Sequence, residues 1–221
     1  DVLLGQPRQH RDIVYNYMQA HQDQVVLTYM RDFSQGLYDH DFTAQTIQSR
    51  PSNEYTWDIE GLGVPNNPVN FTIEHVSLHG QQVSISQVVP ISIYNETAYS
   101  VVTETNFMNS YTFFTEKTVK PILARRLFVA FGGQHYIRNL HNLGFKTFEN
   151  HYSDSFKILF DHIPNHYDRI TAAVKLLRSM CELPQEKFQE FIEKCKPDVI
   201  HNYNLLNTNV FAICSENIKK K

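Results

Sequence analysis

The chain has 221 residues, 42% of them hydrophobic, enough for one large domain or two small ones and too apolar for wholesale disorder. A formal net charge of -3 carries no general nucleic-acid signature, so any polyanion site has to be local. Cys181, Cys195 and Cys214 have no CxxC spacing and cannot all pair, which points to free thiols in a reducing compartment.

Val2-Leu3-Leu4-Gly5 is a short apolar run ending in glycine, followed by the basic stretch Gln6-Pro7-Arg8-Gln9-His10-Arg11. Ile13, Val14, Tyr17 and Met18 then recur at helical spacing, so a helix is expected over about 10–21, with a second short strand at 25–29. The unit is βαβ. A basic loop at the head of such a unit is either a solvated turn or a phosphate-binding crossover.

Residues 31–68 are polar and poorly periodic, with breakers at Pro51, Gly61, Gly63, Pro65 and Pro68, and hold at most a short helix near 42–48. Asp39-His40-Asp41 formally matches a metal-binding DxD pattern, but it follows no clear apolar strand. Residues 69–77 and 82–89 alternate apolar and polar around His79-Gly80-Gln81, the pattern of a β-hairpin. His75 and His79 therefore do not share a helix face. Asn70-Phe71-Thr72 and Asn95-Glu96-Thr97 match the glycosylation sequon and, with no secretory leader in the sequence, are read as chance.

Val89 to Asn95 leads through a short helix or turn into a strand, Tyr99–Thr103, closed by Glu104. The stretch Phe113 to Ala124 joins that strand to a buried-type one, Leu127–Phe131. It reads as a helix over about 115–125, with Thr115 as N-cap and Glu116 favouring the positive helix end. Helix starts above the carboxyl ends of parallel strands are where α/β folds hold phosphate-bearing ligands. Gly132-Gly133 allows a tight turn, and Ile137, Leu140 and Leu143 mark a helix ending at Gly144. Phe145–Phe148 reads as a last strand. The tail is expected in three helical pieces, over about 165–181, 184–195 and from about 197.

Phe114-Thr115-Glu116-Lys117 followed by Lys120-Pro121-Ile122-Leu123-Ala124 resembles the Thr-Glu-Lys signature of fucosyltransferase-like GT-B glycosyltransferases. The wider ordered series resembles glycosyltransferases ascribed to tailed phages and other large DNA viruses. It runs through Leu4 to Arg11, Val89 to Thr105, the Thr-Glu-Lys stretch, Phe131-Gly132-Gly133, Leu143 to Phe148 and Tyr152 to Ser155.

The resemblance implies an α/β fold with a Rossmann-like, mostly parallel sheet, like the C-terminal half of a GT-B enzyme. Residues 1–160 would form this nucleotide-sugar-binding domain, with 31–98 as an excursion and hairpin, and 161–221 would be helices packed on it. The implied activity is sugar transfer from a nucleotide-diphosphate sugar to an acceptor, a modified DNA base or a glycan. The alternative is a binding or virion-associated module of the same fold without turnover. Glu116 would bind ribose or sugar hydroxyls and Lys117 the diphosphate, with Arg8 or Arg11 as the second cation on the phosphates.

Glu104, at a strand's carboxyl end, would hold a sugar hydroxyl, act as base, or only cap the following loop. His10 would serve as acid or phosphate donor, or stand as an exposed loop histidine. Tyr94 would stack on the nucleobase or pack in the core. The donor is a substrate, and neither cofactor nor metal is expected; a metal-dependent GT-A enzyme using Asp39 and Asp41 is the weaker alternative. With no span or basic-then-apolar leader in the sequence, the expected setting is cytoplasmic, the host's if the chain is viral.

Overall fold

The computed structural model describes residues 1–4, 8–21, 25–29, 70–71, 75–78, 81–84, 89, 91–95, 97–108, 111–152 and 160–219. In chain order these form β1 (Val2–Leu4), α1 (Gln9–Gln19), β2 (Leu27–Tyr29), β3 (Asn70–Phe71), β4 (His75–Leu78) and β5 (Gln81–Ser84). There follow α2 (Ile91–Asn95), β6 (Tyr99–Thr103), α3 (Glu116–Leu123), β7 (Leu127–Phe131), α4 (Tyr136–Asn142) and α5 (Glu149–Tyr152). A 3-10 turn (Phe160–His162), α6 (His166–Cys181) and α7 (Gln185–Lys219) complete the order. Asp39, Asp41 and the 42–48 stretch lie outside the described residues.

β1, β2, β6 and β7 pair in the order β2-β1-β6-β7, and every pairing is parallel. All five residues of β7 are buried, and side chains alternate between the faces of a strand, so both faces are covered here. Phe128 meets Phe148 edge-on at 5.4 Å, while Phe131, on the opposite face, meets Phe160 at 5.8 Å. α1 packs against α6, and α3 against α7, β6 and β7. A single hydrophobic cluster joins strand residues such as Val2, Val101 and Val129 to Leu177, Phe191 and Val199 of α6 and α7.

The sheet order places a topological switch point between β1 and β6. The chain leaves β1 toward β2 on one side and β6 toward β7 on the other. Open parallel sheets bind ligands in the crevice outside the carboxyl ends of two such strands.

Three expectations need correction. The expected hairpin is present as β4 and β5, which pair antiparallel, but β3, within the expected first strand, pairs antiparallel with β4 instead of continuing into it, so the pair is part of a separate three-stranded sheet. Residues 145–148 form no strand. Phe145 and Phe148 are buried as a strand would bury them, but the Lys146 backbone pairs with a side chain: its N–H donates to Asn202 Oδ1 at 2.7 Å and its carbonyl accepts from Asn202 Nδ2 at 2.9 Å. One carboxamide thus satisfies the peptide group that a neighbouring strand would have paired.

The tail has two helices rather than three pieces, because α7 runs through Pro197. A proline inside a helix costs about 3 kcal/mol. Here the buried stripe Phe188, Phe191, Ile192, Cys195, Val199 and Asn202 continues at helical spacing across it, and packing outweighs the lost hydrogen bond.

Candidate functional site

Glu104 extends the β6–β7 ladder by one residue, its N–H donating to the Phe131 carbonyl at 2.9 Å. Its side chain is fully buried and accepts from five donors. Oε1 receives the Thr118 hydroxyl at 2.7 Å, the Tyr136 hydroxyl at 2.8 Å and the Thr115 N–H at 3.3 Å. Oε2 receives the Thr115 hydroxyl at 2.6 Å and the Thr105 N–H at 3.3 Å. A carboxylate has about four lone-pair sites, so none is left to face a ligand. Glu104 ties the end of β6 to the start of α3 and to α4.

Thr115 caps α3 as expected: its backbone is extended and its Oγ accepts from the Lys117 N–H at 3.3 Å. The helix closes with Arg125 at φ +52 in a Schellman arrangement, where Arg126 N–H bonds Pro121 O at 2.8 Å and Arg125 N–H bonds Ile122 O at 3.1 Å. Both ends of this short helix are therefore fixed. Gly132 serves a different purpose from the expected tight turn, for it has no positive φ. A Cβ there would lie 2.3 Å from Tyr136 Cγ, so the glycine makes room for the ring that reaches Glu104.

The α3 start presents Glu116 and Lys117, paired at 2.7 Å and each about one-third exposed. Burial acts to raise the Glu116 pKa, but the hydrogen bond from Lys117 and the charges of Lys117 and Lys120 hold it below the usual value. Lys120, three residues after Lys117 and on the same helix face, is pushed down to about 8, first by burial and then by Lys117. Its place in the site was missed by the sequence reading, although the i, i+3 spacing carried the signal.

The basic stretch at the first crossover divides. Arg8 is exposed at the α1 N-cap position. Arg11 is buried and donates to the Thr103 carbonyl at 3.3 Å. His10 is buried too, 4% exposed, and its Nε2–H donates to the Glu104 carbonyl at 2.9 Å. Burial lowers its pKa to about 4, so it is neutral at neutral pH. Its ring stacks on Phe107 at 4.9 Å, and the Arg169 guanidinium lies 4.6 Å from the centroid of that same ring. Arg169, itself buried, donates to the carbonyls of Phe107 and Ile163. His10 and Arg11 dock α1 onto the end of β6.

Tyr94 lies at the other edge of the sheet. It is buried just before β6 begins, 4.9 Å from the Arg126 guanidinium, and burial raises its hydroxyl pKa to about 12. The same Arg126 bonds Thr97 Oγ at 2.7 Å and Asp1 at 3.3 Å. The structure therefore leaves Arg8 exposed at the head of α1 and Glu116 and Lys117 part-exposed at the start of α3, keeps His10, Arg11 and Glu104 buried, and leaves Tyr94 apart. Three exposed apolar side chains, Met108, Tyr111 and Phe113, lie on the loop between Glu104 and Thr115.

Among the described residues no group of three or more His, Cys, Asp or Glu side chains is placed to hold a metal, and no helix is long and apolar enough to cross a membrane. The N-terminus of α4 is already served by a protein anion, since Asp161 accepts from the N–H groups of Ile137 at 2.8 Å and Arg138 at 3.0 Å. Comparisons with protein-family models, curated proteins and solved structures gave no match to this chain.

Proposed function

We propose that the carboxyl edge between β1 and β6 binds a nucleotide-diphosphate sugar and that the chain is a glycosyltransferase acting through that donor. The observation that carries the reading is the run Glu116 to Lys120 of α3. It sets a carboxylate and two ammonium groups, Glu116, Lys117 and Lys120, beside a topological switch point, on a helix start anchored by a saturated buried carboxylate.

Each part has a matching task. Lys117 and Lys120, with Arg8 from the first crossover, meet the diphosphate, and Glu116 accepts from ribose or sugar hydroxyls. Departure of a nucleoside diphosphate builds negative charge on its oxygens, which fixed cations and helix-start N–H groups stabilise without reorganising. The stacking role once expected of Tyr94 passes to Tyr111 or Phe113, the exposed aromatics of the adjoining loop. The acceptor, a modified DNA base or a glycan, would be deprotonated by a group other than Glu104 or His10.

That last point favours a second reading, a module that binds nucleotide sugars without turning them over. Both candidate catalytic residues are committed inside the protein, Glu104 to five donors and His10 to a backbone carbonyl.

A thermal-shift panel of UDP-, GDP-, ADP- and CMP-sugars tests the binding claim. At about 100 Kd of ligand the native state gains about 2.7 kcal/mol, a rise of roughly 5–10 °C for a chain of this size. The shift should be confined to one nucleotide and disappear in a folded Lys117→Ala protein. Unchanged binding by that variant would remove the basis of the proposal. Release of free nucleoside diphosphate on prolonged incubation with acceptors separates the enzyme from the module.

A further inference from the structure

Away from the carboxyl edge, the C-terminal end of α4, residues 144–147, α5 and α7 enclose a cleft of about 440 Å³, lined by His141, Lys146, Thr147, His151 and Asp198. It lies toward the amino edge of the sheet, since the adjoining Phe148 packs on Phe128, near the start of β7. Each histidine has an acid behind it. His151 Nε2 bonds Asp198 Oδ2 at 2.6 Å. His141 Nε2 lies 2.6 Å from the Thr147 hydroxyl, which donates to Glu149 Oε1 at 2.5 Å. We propose that this cleft is a second ligand site, one that takes a phosphomonoester-class anion when both histidines are protonated.

The wiring supports that choice. With Nε2 of each ring engaged, protonation leaves one Nδ1–H per ring to donate, and no described residue accepts from it. Lys146 adds an exposed ammonium with no partner among the described residues, on a backbone held at both its N–H and its carbonyl by Asn202. Two imidazolium rings and one ammonium then outnumber the carboxylates of Asp198 and Glu149. Burial raises the Glu149 pKa, which weakens the negative charge behind His141 further. Charge-assisted donors from side chains that line one cleft are a usual means of holding a phosphate.

The other titratable groups nearby are committed. His201 of α7 bonds the Gly144 carbonyl at 2.8 Å, Cys195 is buried, and Asp161, whose charge also acts on Glu149, caps α4. Lys194, on the same helix, acts on Cys195.

Titration of the whole chain with inorganic phosphate, followed by calorimetry and by the histidine-ring resonances, decides the matter. Binding should be saturable and should weaken as pH is raised, with the His141 and His151 rings moving on binding. It should be lost in Lys146→Ala, whose side chain is exposed, and kept in Lys117→Ala. Binding that survives Lys146→Ala, ignores pH, leaves the two rings unmoved or is absent at every pH overturns the assignment. Loss in Lys117→Ala with retention in Lys146→Ala would place the phosphate at the carboxyl edge and overturn it equally.

Discussion

Replacing Tyr136 by phenylalanine removes one hydroxyl from the network that fixes the α3 start. That hydroxyl donates to Glu104 Oε1 at 2.8 Å and lies 2.7 Å from Thr118 Oγ, so two hydroxyl protons serve three short O···O contacts. Burial, then the Glu104 charge, hold the Tyr136 hydroxyl protonated well above its ordinary range, so it is a donor at any working pH. A hydrogen bond to a charged acceptor is worth roughly 1.5–3 kcal/mol, and the ring itself is retained. The expected loss is about 2 kcal/mol, read as a fall of roughly 4–8 °C in Tm or a lower urea midpoint at unchanged m.

Thr118→Val should cost a similar amount. With both hydroxyls gone, Oε1 retains only the Thr115 N–H at 3.3 Å, inside a fully buried site. The double variant should therefore exceed the sum of the single ones by about 1 kcal/mol. A loss below about 0.5 kcal/mol for Tyr136→Phe, or strict additivity in the cycle, would refute the view that Glu104 holds this edge together.

Gly132→Ala would drive a methyl group against the Tyr136 ring and should destabilise by about 1–3 kcal/mol, with the Tyr136→Phe penalty reduced in its background; equal stability to wild type would contradict the close approach. His10 has a folded pKa of about 4 against 6.5, so the unfolded chain takes up its proton first as pH falls. Stability from this group is whole above about pH 6.5 and is lost toward about pH 4, by about 3 kcal/mol, and a His10→Gln variant should show a flatter acid limb in urea titrations. Asn202→Ala leaves the Lys146 peptide group without its partners and should cost about 2–3 kcal/mol, with faster hydrogen exchange at the Lys146 amide; a change under about 0.5 kcal/mol would mean the carboxamide does not substitute for a strand.

How much of this was legible in the sequence depends on the range of the interaction. β6 and β7 were readable to the residue because both are apolar runs bounded by polar breaks, and Thr115 because an N-cap is a local event. The Gly144 stop follows from the same locality: its φ is +92, Gly144 N–H bonds His141 O at 2.9 Å and Phe145 N–H bonds Leu140 O at 3.1 Å. What misled was non-local. Nothing near Lys146 announces that Asn202 will pair its backbone, and nothing near Pro197 shows that packing on both sides will carry the helix through.

The candidate site divides along the same line. Residue type and position put His10, Arg11 and Glu104 at the carboxyl ends of strands, where they are. Whether each faces outward is decided by Phe107, Arg169, Thr118 and Tyr136, brought in from elsewhere along the chain, and they turn all three inward. Thr118 was within reach of the sequence, three residues after Thr115 on the same helix face. Tyr136 was not, since only the close approach over Gly132 explains its position.

The most direct test of the central claim locates the donor. Backbone amide spectra recorded during titration with the nucleotide sugar chosen by the thermal-shift panel would show which edge of the sheet responds. Shifts at Arg8, Thr115, Glu116, Lys117 and Lys120, with the Tyr94 and Arg126 amides still, are the expected result. Shifts centred on Tyr94 and Arg126, or no saturable shift at the α3 start, would contradict the account.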